Sequence, residues 1–273
     1  MIAVTVSAVI ARPIRAAPIS FTVGALAFAA VLGGAEAVYH LAGAFWGAAC
    51  FAAVFLAIVQ LGVLAEVRGS SGGGELAGLL AVAGLVPLAR LLMVSVPAVP
   101  FLRLNPTALW VLPMVMVSAY AYRAPWIPGA RPQLLGVPGP GWRPLAIQGV
   151  VVTVGAWLGA LAAYTLPYVG PHVLIYQDSA KWMGAALFAL AGGAGELAWR
   201  GVLQPLAADI AGPVGIAACF VASAYVSVAW LGWSATPVIA LSGLTTVVVY
   251  RTRCLTGAVA AHTLLNLLLV VLR

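Results

Sequence analysis

Two pairs of polar side chains interrupt apolar, helix-like sequence near the C-terminus of the chain. Glu196 and Arg200 are four residues apart, and so are His262 and Asn266. Residues at this spacing share one face of a helix. A charged side chain at the centre of a bilayer costs about 3 kcal/mol, so such residues predict a functional site. Together, a carboxylate, an imidazole, an amide and a guanidinium could activate water and stabilise a developing oxyanion.

The composition requires that most of this chain is in contact with lipid. Of its 273 residues, 64% are hydrophobic and 7% are charged, more apolar surface than a soluble domain of this size could bury. The net charge of +7 comes from single, scattered basic residues, which argues against a nucleic-acid partner. The three cysteines and three histidines form neither a CxxC nor an HExxH motif, the common signatures of zinc sites.

The apolar runs predict an all-α, polytopic transmembrane helix bundle of about eight to nine spans. The predicted spans lie at about residues 19–39, 41–64, 75–99, 107–122, 145–166, 180–206, 214–231, 237–250 and 255–272. Ala35-Glu36-Ala37 also resembles a signal-peptide cleavage site, but the first run is long for a signal core, and we prefer a membrane helix. For Arg90, near the middle of the third span, we expect a structural ion pair or a bond to a backbone carbonyl.

We predict a single membrane domain, residues 1–273, made of two parts. A Pro/Gly-rich stretch with interfacial tryptophans and arginines ends an N-terminal group of four spans, residues 1–144. Residues 145–273 form the core that contains the polar pocket. Basic residues are concentrated in the loops that share a side with the N-terminus. This asymmetry predicts a multi-pass protein of the cell membrane with a cytoplasmic N-terminus.

Helix geometry allows the two polar pairs to meet. The helical rise places Glu196 about 13 Å from the turn at Pro205, and His262 about 8 Å from the turn at Gly257. If both turns lie at the same membrane surface, the carboxylate and the imidazole can meet. The sequence therefore predicts a common pocket for Glu196 and His262.

Three stretches resemble the motifs of the CPBP (Abi) family of intramembrane metalloproteases, which includes the type II CAAX prenyl endopeptidases. The family's Glu-Glu-x-x-x-Arg motif is similar to GELAWR at 195–200, and its Phe-x-x-x-His motif to the stretch 223–230. Its His-x-x-x-Asn motif, commonly preceded by a Thr-Gly turn, is similar to the stretch 256–266. The resemblance covers residues 145–273 and implies the helical CPBP fold and a water-activating site.

Two positions depart from the family pattern. Gly195 occupies the place of the first glutamate, which the family uses to activate water. Trp230, or else Ala229, occupies the place of the first histidine. The site has therefore lost one carboxylate and one imidazole that the family's chemistry uses.

The resemblance also implies roles for the residues that remain. Glu196 would polarise water, His262 and Asn266 would hold the water or the oxyanion, and Arg200 would fix Glu196. It further implies a divalent metal, zinc, with His262 and Glu196 as candidate ligands. One histidine and one glutamate are fewer than the three protein ligands of a typical catalytic zinc site.

Three functions stay open on the sequence. The first is endopeptidase-type hydrolysis of a membrane-associated peptide. The second is a catalytically lapsed pseudoprotease that acts as a membrane scaffold or peptide-binding partner, in which Glu196 and Arg200 only neutralise each other. The third is a transporter subunit, which Arg90 suggests but no internal repeat or pore-lining polar run supports.

Overall fold

The computed structural model describes residues 19–67, 73–95, 115–116, 142–165 and 178–272. In these ranges regular structure is helical and no β-strand occurs, which confirms the all-α class. The α-helices are α1 Ile19–Ala42, α2 Ala44–Val67, α3 Gly73–Ala83, α4 Leu85–Ser95, α5 Trp142–Thr165, α6 Asp178–Glu196, α7 Gln204–Leu231, α8 Thr236–Thr252 and α9 Thr256–Val271. A π-helical segment, Leu197–Leu203, joins α6 to α7, and a 3₁₀ turn, Gly232–Ala235, joins α7 to α8.

Five helical stretches of the described ranges are long and apolar enough to cross a membrane. They are Phe21–Ala42, Ala44–Ala65, Gly78–Ser95, Trp142–Thr165 and Gly184–Ala229. The chain is therefore a polytopic membrane protein, whereas the predicted count of eight to nine spans is not confirmed. Apart from residues 115–116, the predicted fourth span at 107–122 lies outside the described residues.

A sharp kink separates the predicted sixth and seventh spans. The apolar stretch that contains both, Gly184–Ala229, has 46 residues, about twice the length that one crossing of a bilayer needs. The bend lies at Gly212, whose φ of 56° is left-handed, and Pro213 follows it. Glycine adopts this conformation without a steric penalty, and proline starts the next helical turn because its missing N–H is not needed there.

Helix α9 lies against α5 and α6, and two glycines of α5 allow the close approach. A Cβ on Gly155 would lie 2.5 Å from the carbonyl oxygen of Ala261, and one on Gly159 would lie 2.6 Å from that of Leu265. Neither backbone atom can move without shifting α9. The α5–α9 contact, which holds His262 in place, therefore depends on the absence of side chains at these positions.

We expect Gly159→Leu to lower the free energy of unfolding by about 1–3 kcal/mol, because the new side chain forces α9 away from α5. Reversible unfolding in mixed micelles measures this change. Gly149→Leu is the matched control, since a Cβ at Gly149 in the same helix meets nothing within 4 Å. Equal losses in the two variants would contradict the close α5–α9 packing.

The N-terminal helices share a hydrophobic core with the C-terminal part. Phe51 of α2, Val82 of α3 and Leu85 of α4 belong to the same buried cluster as Trp199 and Val202 of the π segment. The helix that carries the polar residues is thus supported from the N-terminal side. The division at residue 144 stays a prediction.

Candidate functional site

Glu196 and His262 meet in the interior of the helix bundle. Glu196 is the last residue of α6 and His262 lies in the second turn of α9, and their Oε1 and Nδ1 atoms are 2.8 Å apart. The Glu196 side chain is fully buried and that of His262 is 12% exposed. Gly192 permits the approach, because a Cβ there would lie 2.8 Å from the His262 carbonyl oxygen. The acid and the imidazole therefore share one buried contact between separate helices.

Arg200 connects this acid to two further helices. Its Nε lies 3.5 Å from Glu196 Oε2, and its Nη2 donates to the Ser242 carbonyl oxygen at 3.0 Å. The same Nη2 also reaches the hydroxyl groups of Ser223, Ser242 and Thr246. Since the side chain of Arg200 is only 1% exposed, its charge is neutralised entirely within the protein. Arg200 thus ties the π segment to α7 and α8.

Arg200 lies in the π-helical segment, which begins directly after Glu196. The backbone N–H of Gln204 donates to the carbonyl oxygen of Trp199, five residues earlier, so this turn is wider than an α-helical turn. The Sγ of Cys219 also donates to this carbonyl oxygen, at 3.2 Å. Single π turns occur frequently at functional sites. The Glu-x-x-x-Arg motif of this chain accordingly starts at the end of a regular helix and finishes on an irregular one.

Asn266 lies one turn beyond His262 but does not join the acid. Its Nδ2 donates to the carbonyl oxygen of Phe188 at 2.9 Å, and its Oδ1 has no hydrogen-bond partner among the described residues. The amide therefore connects α9 to the backbone of α6. Of the four predicted site residues, the structure brings Glu196, Arg200 and His262 into one network and places Asn266 beside it.

Sequence analysis missed four residues that complete the network: Gln204, Ser223, Ser242 and Thr246. Gln204 is 2% exposed, and its Nε2 donates to the carbonyl oxygen of Thr246 at 2.9 Å. Ser223 and Ser242 contact each other through their Oγ atoms at 3.1 Å. The one available signal was spacing, because Gln204 follows Arg200 by the same four residues that separate Arg200 from Glu196. Hydroxyl residues in apolar helices give no such signal, since they commonly bond to their own backbone.

The donor set does not fit a zinc ion. Within the described ranges, no group of three or more His, Cys, Asp and Glu side chains could hold a metal. The two candidate ligands, Glu196 and His262, bond to each other, and the Arg200 cation lies beside the carboxylate. A catalytic zinc site has three protein ligands and an open position, and a neighbouring cation opposes metal binding. Glu196 and His262 therefore do not form a catalytic zinc site.

The two departures from the family pattern have different structural settings. Gly195 is buried at the end of α6, next to Glu196. The side chain of Trp230 lies outside the described part of the chain. Ala229 follows Tyr225 by one turn of α7, and Tyr225 donates to Glu36 in the N-terminal part. A histidine in place of Ala229 would therefore share the face of α7 that contacts the N-terminal helices.

The comparisons with known proteins concern the C-terminal part of the chain. A family model described as Type II CAAX prenyl endopeptidase Rce1-like matches residues 177–268, a region that contains Glu196, Arg200, His262 and Asn266. Neither the curated proteins nor the solved structures gave a match. The match confirms the resemblance drawn from the three motifs: over residues 177–268 this helical membrane protein is similar to the CAAX-protease-type proteins of the CPBP family.

Proposed function

We propose that this protein is a non-hydrolysing relative of the CAAX-type proteases that acts as a membrane scaffold or peptide-binding partner. The observation that supports the proposal is the state of Glu196, the only motif carboxylate left. It is fully buried, with one oxygen bonded to His262 and the other facing Arg200. Access to water is not enough for a general base, which must also lie in a geometry that fits the scissile bond. The inherited carboxylate is instead part of a network that holds helices together.

Gly195 strengthens this reading because Glu196 is a poor substitute for the missing glutamate. Neighbouring helical positions point about 100° apart, so Glu196 has different neighbours from a carboxylate at position 195. A misplacement of only about 1 Å can cost on the order of 100-fold in rate. The loss of the first histidine removes a second group that the family's reaction uses.

Endopeptidase activity on a membrane-associated peptide is the second candidate, and one observation favours it. Glu196 Oε2 accepts no hydrogen bond from the described residues, so one carboxylate oxygen could still take a water molecule. In this reading Glu196 polarises the water, His262 and Asn266 hold the water or the oxyanion, and Arg200 fixes Glu196. The zinc ion that the family resemblance implies lacks ligands here, so the reading depends on these four side chains alone.

We further propose that the protein lies in the cell membrane with a cytoplasmic N-terminus. The support is the asymmetry of the basic residues, among them Arg251 and Arg253 at the end of α8. Both are exposed. This orientation places the end of α8 at the cytoplasmic surface.

A cleavage assay separates the two functions. We expect the purified protein in nanodiscs to leave a prenylated CAAX peptide intact, with or without added zinc, at the background level of Glu196→Gln. Co-purification of a membrane partner that persists in Glu196→Gln would support the scaffold reading. Peptide cleavage by the natural protein that disappears in a folded Glu196→Gln variant would overturn the proposal in favour of the endopeptidase.

Restoring the missing groups provides a test of descent. We expect weak cleavage of the same peptide only in the double variant Gly195→Glu with Trp230→His. Position 230 follows Ser223, which bonds to Arg200, by seven residues or two helical turns, whereas Ala229 shares the face of Tyr225. Gly195→Glu with Ala229→His is therefore the matched control and should stay inactive. Activity in the control alone would show that Ala229 is the true counterpart of the histidine.

A further inference from the structure

A small cleft opens to the surface between the start of α7 and the end of α8. It is lined by Arg200, Gln204, Pro205, Ala208, Val249, Tyr250 and Arg253. Its outer part carries Arg253, whose guanidinium lies 5.6 Å from the centre of the Tyr250 ring. Its inner part ends at Arg200 and Gln204, so the cleft leads from the surface to the buried charge network.

Three buried polar atoms of this network lack a hydrogen-bond partner among the described residues. They are Glu196 Oε2, Arg200 Nε and Gln204 Oε1, on side chains that are at most 2% exposed. An unsatisfied buried polar group costs about 1–3 kcal/mol, and native proteins satisfy such groups with ordered water. Two of the three residues line the cleft, and the third, Glu196, faces Arg200 Nε at 3.5 Å. Each unsatisfied atom therefore belongs to a residue that lines the cleft or contacts a residue that does.

The size of the cleft decides what it can bind. The cavity volume is about 10 Å³. A cavity needs about 10–15 Å³ to hold one water molecule. A lipid phosphate or a peptide group is larger than this space. Two lining residues have an unsatisfied atom, an acceptor on Gln204 and a donor on Arg200, and together they match a ligand that both donates and accepts.

We propose that this cleft is a hydration site that connects the Glu196–His262 contact to the aqueous phase beside Arg253. A water molecule enters past Tyr250, donates to Gln204 Oε1 and accepts from Arg200 Nε. Its second hydrogen points toward Glu196 Oε2. The site goes beyond the proposed function, because it gives the buried acid proton exchange with bulk water whether or not the protein hydrolyses peptides.

Cysteine labelling tests whether the mouth of the cleft, at Ala208, faces the aqueous phase, because the reagent is larger than the cleft itself. The probe is a charged, water-soluble methanethiosulfonate applied to the protein in nanodiscs, with labelled peptides identified by mass spectrometry. We expect Ala208→Cys to react at least an order of magnitude faster than Ala217→Cys, an exposed position in the apolar part of the same helix. The natural Cys50, Cys219 and Cys254 give the background in the unsubstituted protein. Equal rates at positions 208 and 217 would overturn the hydration site.

Proton exchange tests whether the water reaches the acid. We expect Ala208→Leu, which fills the cleft, to slow hydrogen–deuterium exchange of the His262 ring N–H by at least an order of magnitude in ¹⁵N-histidine spectra. Val214→Leu, at an exposed position of the same helix, should leave the exchange rate unchanged. Unaltered exchange in a folded Ala208→Leu variant would show that protons use another route. Neither measurement involves peptide cleavage, so a failure here leaves the proposed function untouched.

Discussion

Arg200→Met lowers the free energy of unfolding of this protein by about 3–5 kcal/mol, the largest loss of stability that we expect. Methionine has a similar volume but no charge, so the fully buried Glu196 loses its cation. The carboxylate would then depend on His262 alone. The hydroxyl groups of Ser223 and Ser242 lose their shared donor at the same time. Reversible unfolding in mixed micelles, followed by circular dichroism, measures the change.

A double variant separates the ion pair from the packing. Glu196→Gln combined with Arg200→Met removes both charges, so we expect it to be more stable than Arg200→Met alone. Arg251→Met is the control for loss of an exposed arginine, and its effect should stay within about 0.5 kcal/mol. The losses of unfolding free energy in the single variants Glu196→Gln and Arg200→Met could simply add in the double variant. In that case the two side chains would not interact, and the network described for Glu196 would be wrong.

The contact between Glu196 and His262 could be predicted from the sequence because polar side chains in membrane helices have few possible partners. Polar groups in lipid need partners, and the helical rise allowed Glu196 and His262 to meet if their turns lie at the same membrane surface. The structure places the two side chains in contact. The pairing of Glu196 with Arg200 followed from their spacing in the same way.

The path of the backbone between these residues could not be predicted. The break at Gly212 falls between the predicted sixth and seventh spans, but the π-helical segment at Leu197–Leu203, which carries Arg200 directly before Gln204, was not expected. A π turn depends on which hydrogen bonds form once the helices pack, and apolar periodicity does not record this. The partner of Asn266 was missed for a related reason, because a backbone carbonyl such as that of Phe188 has no sequence signature.

The sequence indicated that Arg90 needs a partner but did not identify it. The structure shows the structural ion pair, with Glu36, which lies 54 positions earlier. Such distant pairs depend on how α1 and α4 pack together, and one sequence does not contain that information. Glu36 belongs to the stretch Ala35-Glu36-Ala37 that resembles a cleavage site. In the structure this residue lies in α1 and forms an ion pair with Arg90 of α4.

Glu36→Gln is the second variant with a large expected effect. Arg90 donates to Glu36 through both Nε and Nη2, at 2.5 and 2.7 Å, and the hydroxyl group of Tyr225 donates to the same carboxylate. The Arg90 guanidinium also lies 5.2 Å from the centre of the Tyr39 ring. Removing the carboxylate leaves an uncompensated arginine in a membrane helix, a cost of about 2.5–3.5 kcal/mol. We expect the free energy of unfolding to fall by about this amount.

The controls for this variant also test the domain organisation. Glu36→Gln with Arg90→Met should recover part of the loss, and Tyr225→Phe should cost only about 0.5–1.5 kcal/mol, since it removes one hydrogen bond. The cluster ties α1 and α4 to α7, which also carries Ser223 of the buried network. If residues 1–273 form a single membrane domain, Glu36→Gln should shift one cooperative transition that includes the C-terminal helices. The N-terminal helices could instead unfold in a separate, earlier transition that leaves the ¹⁵N-histidine signal of the His262 ring unchanged. That result would show that the chain consists of two domains.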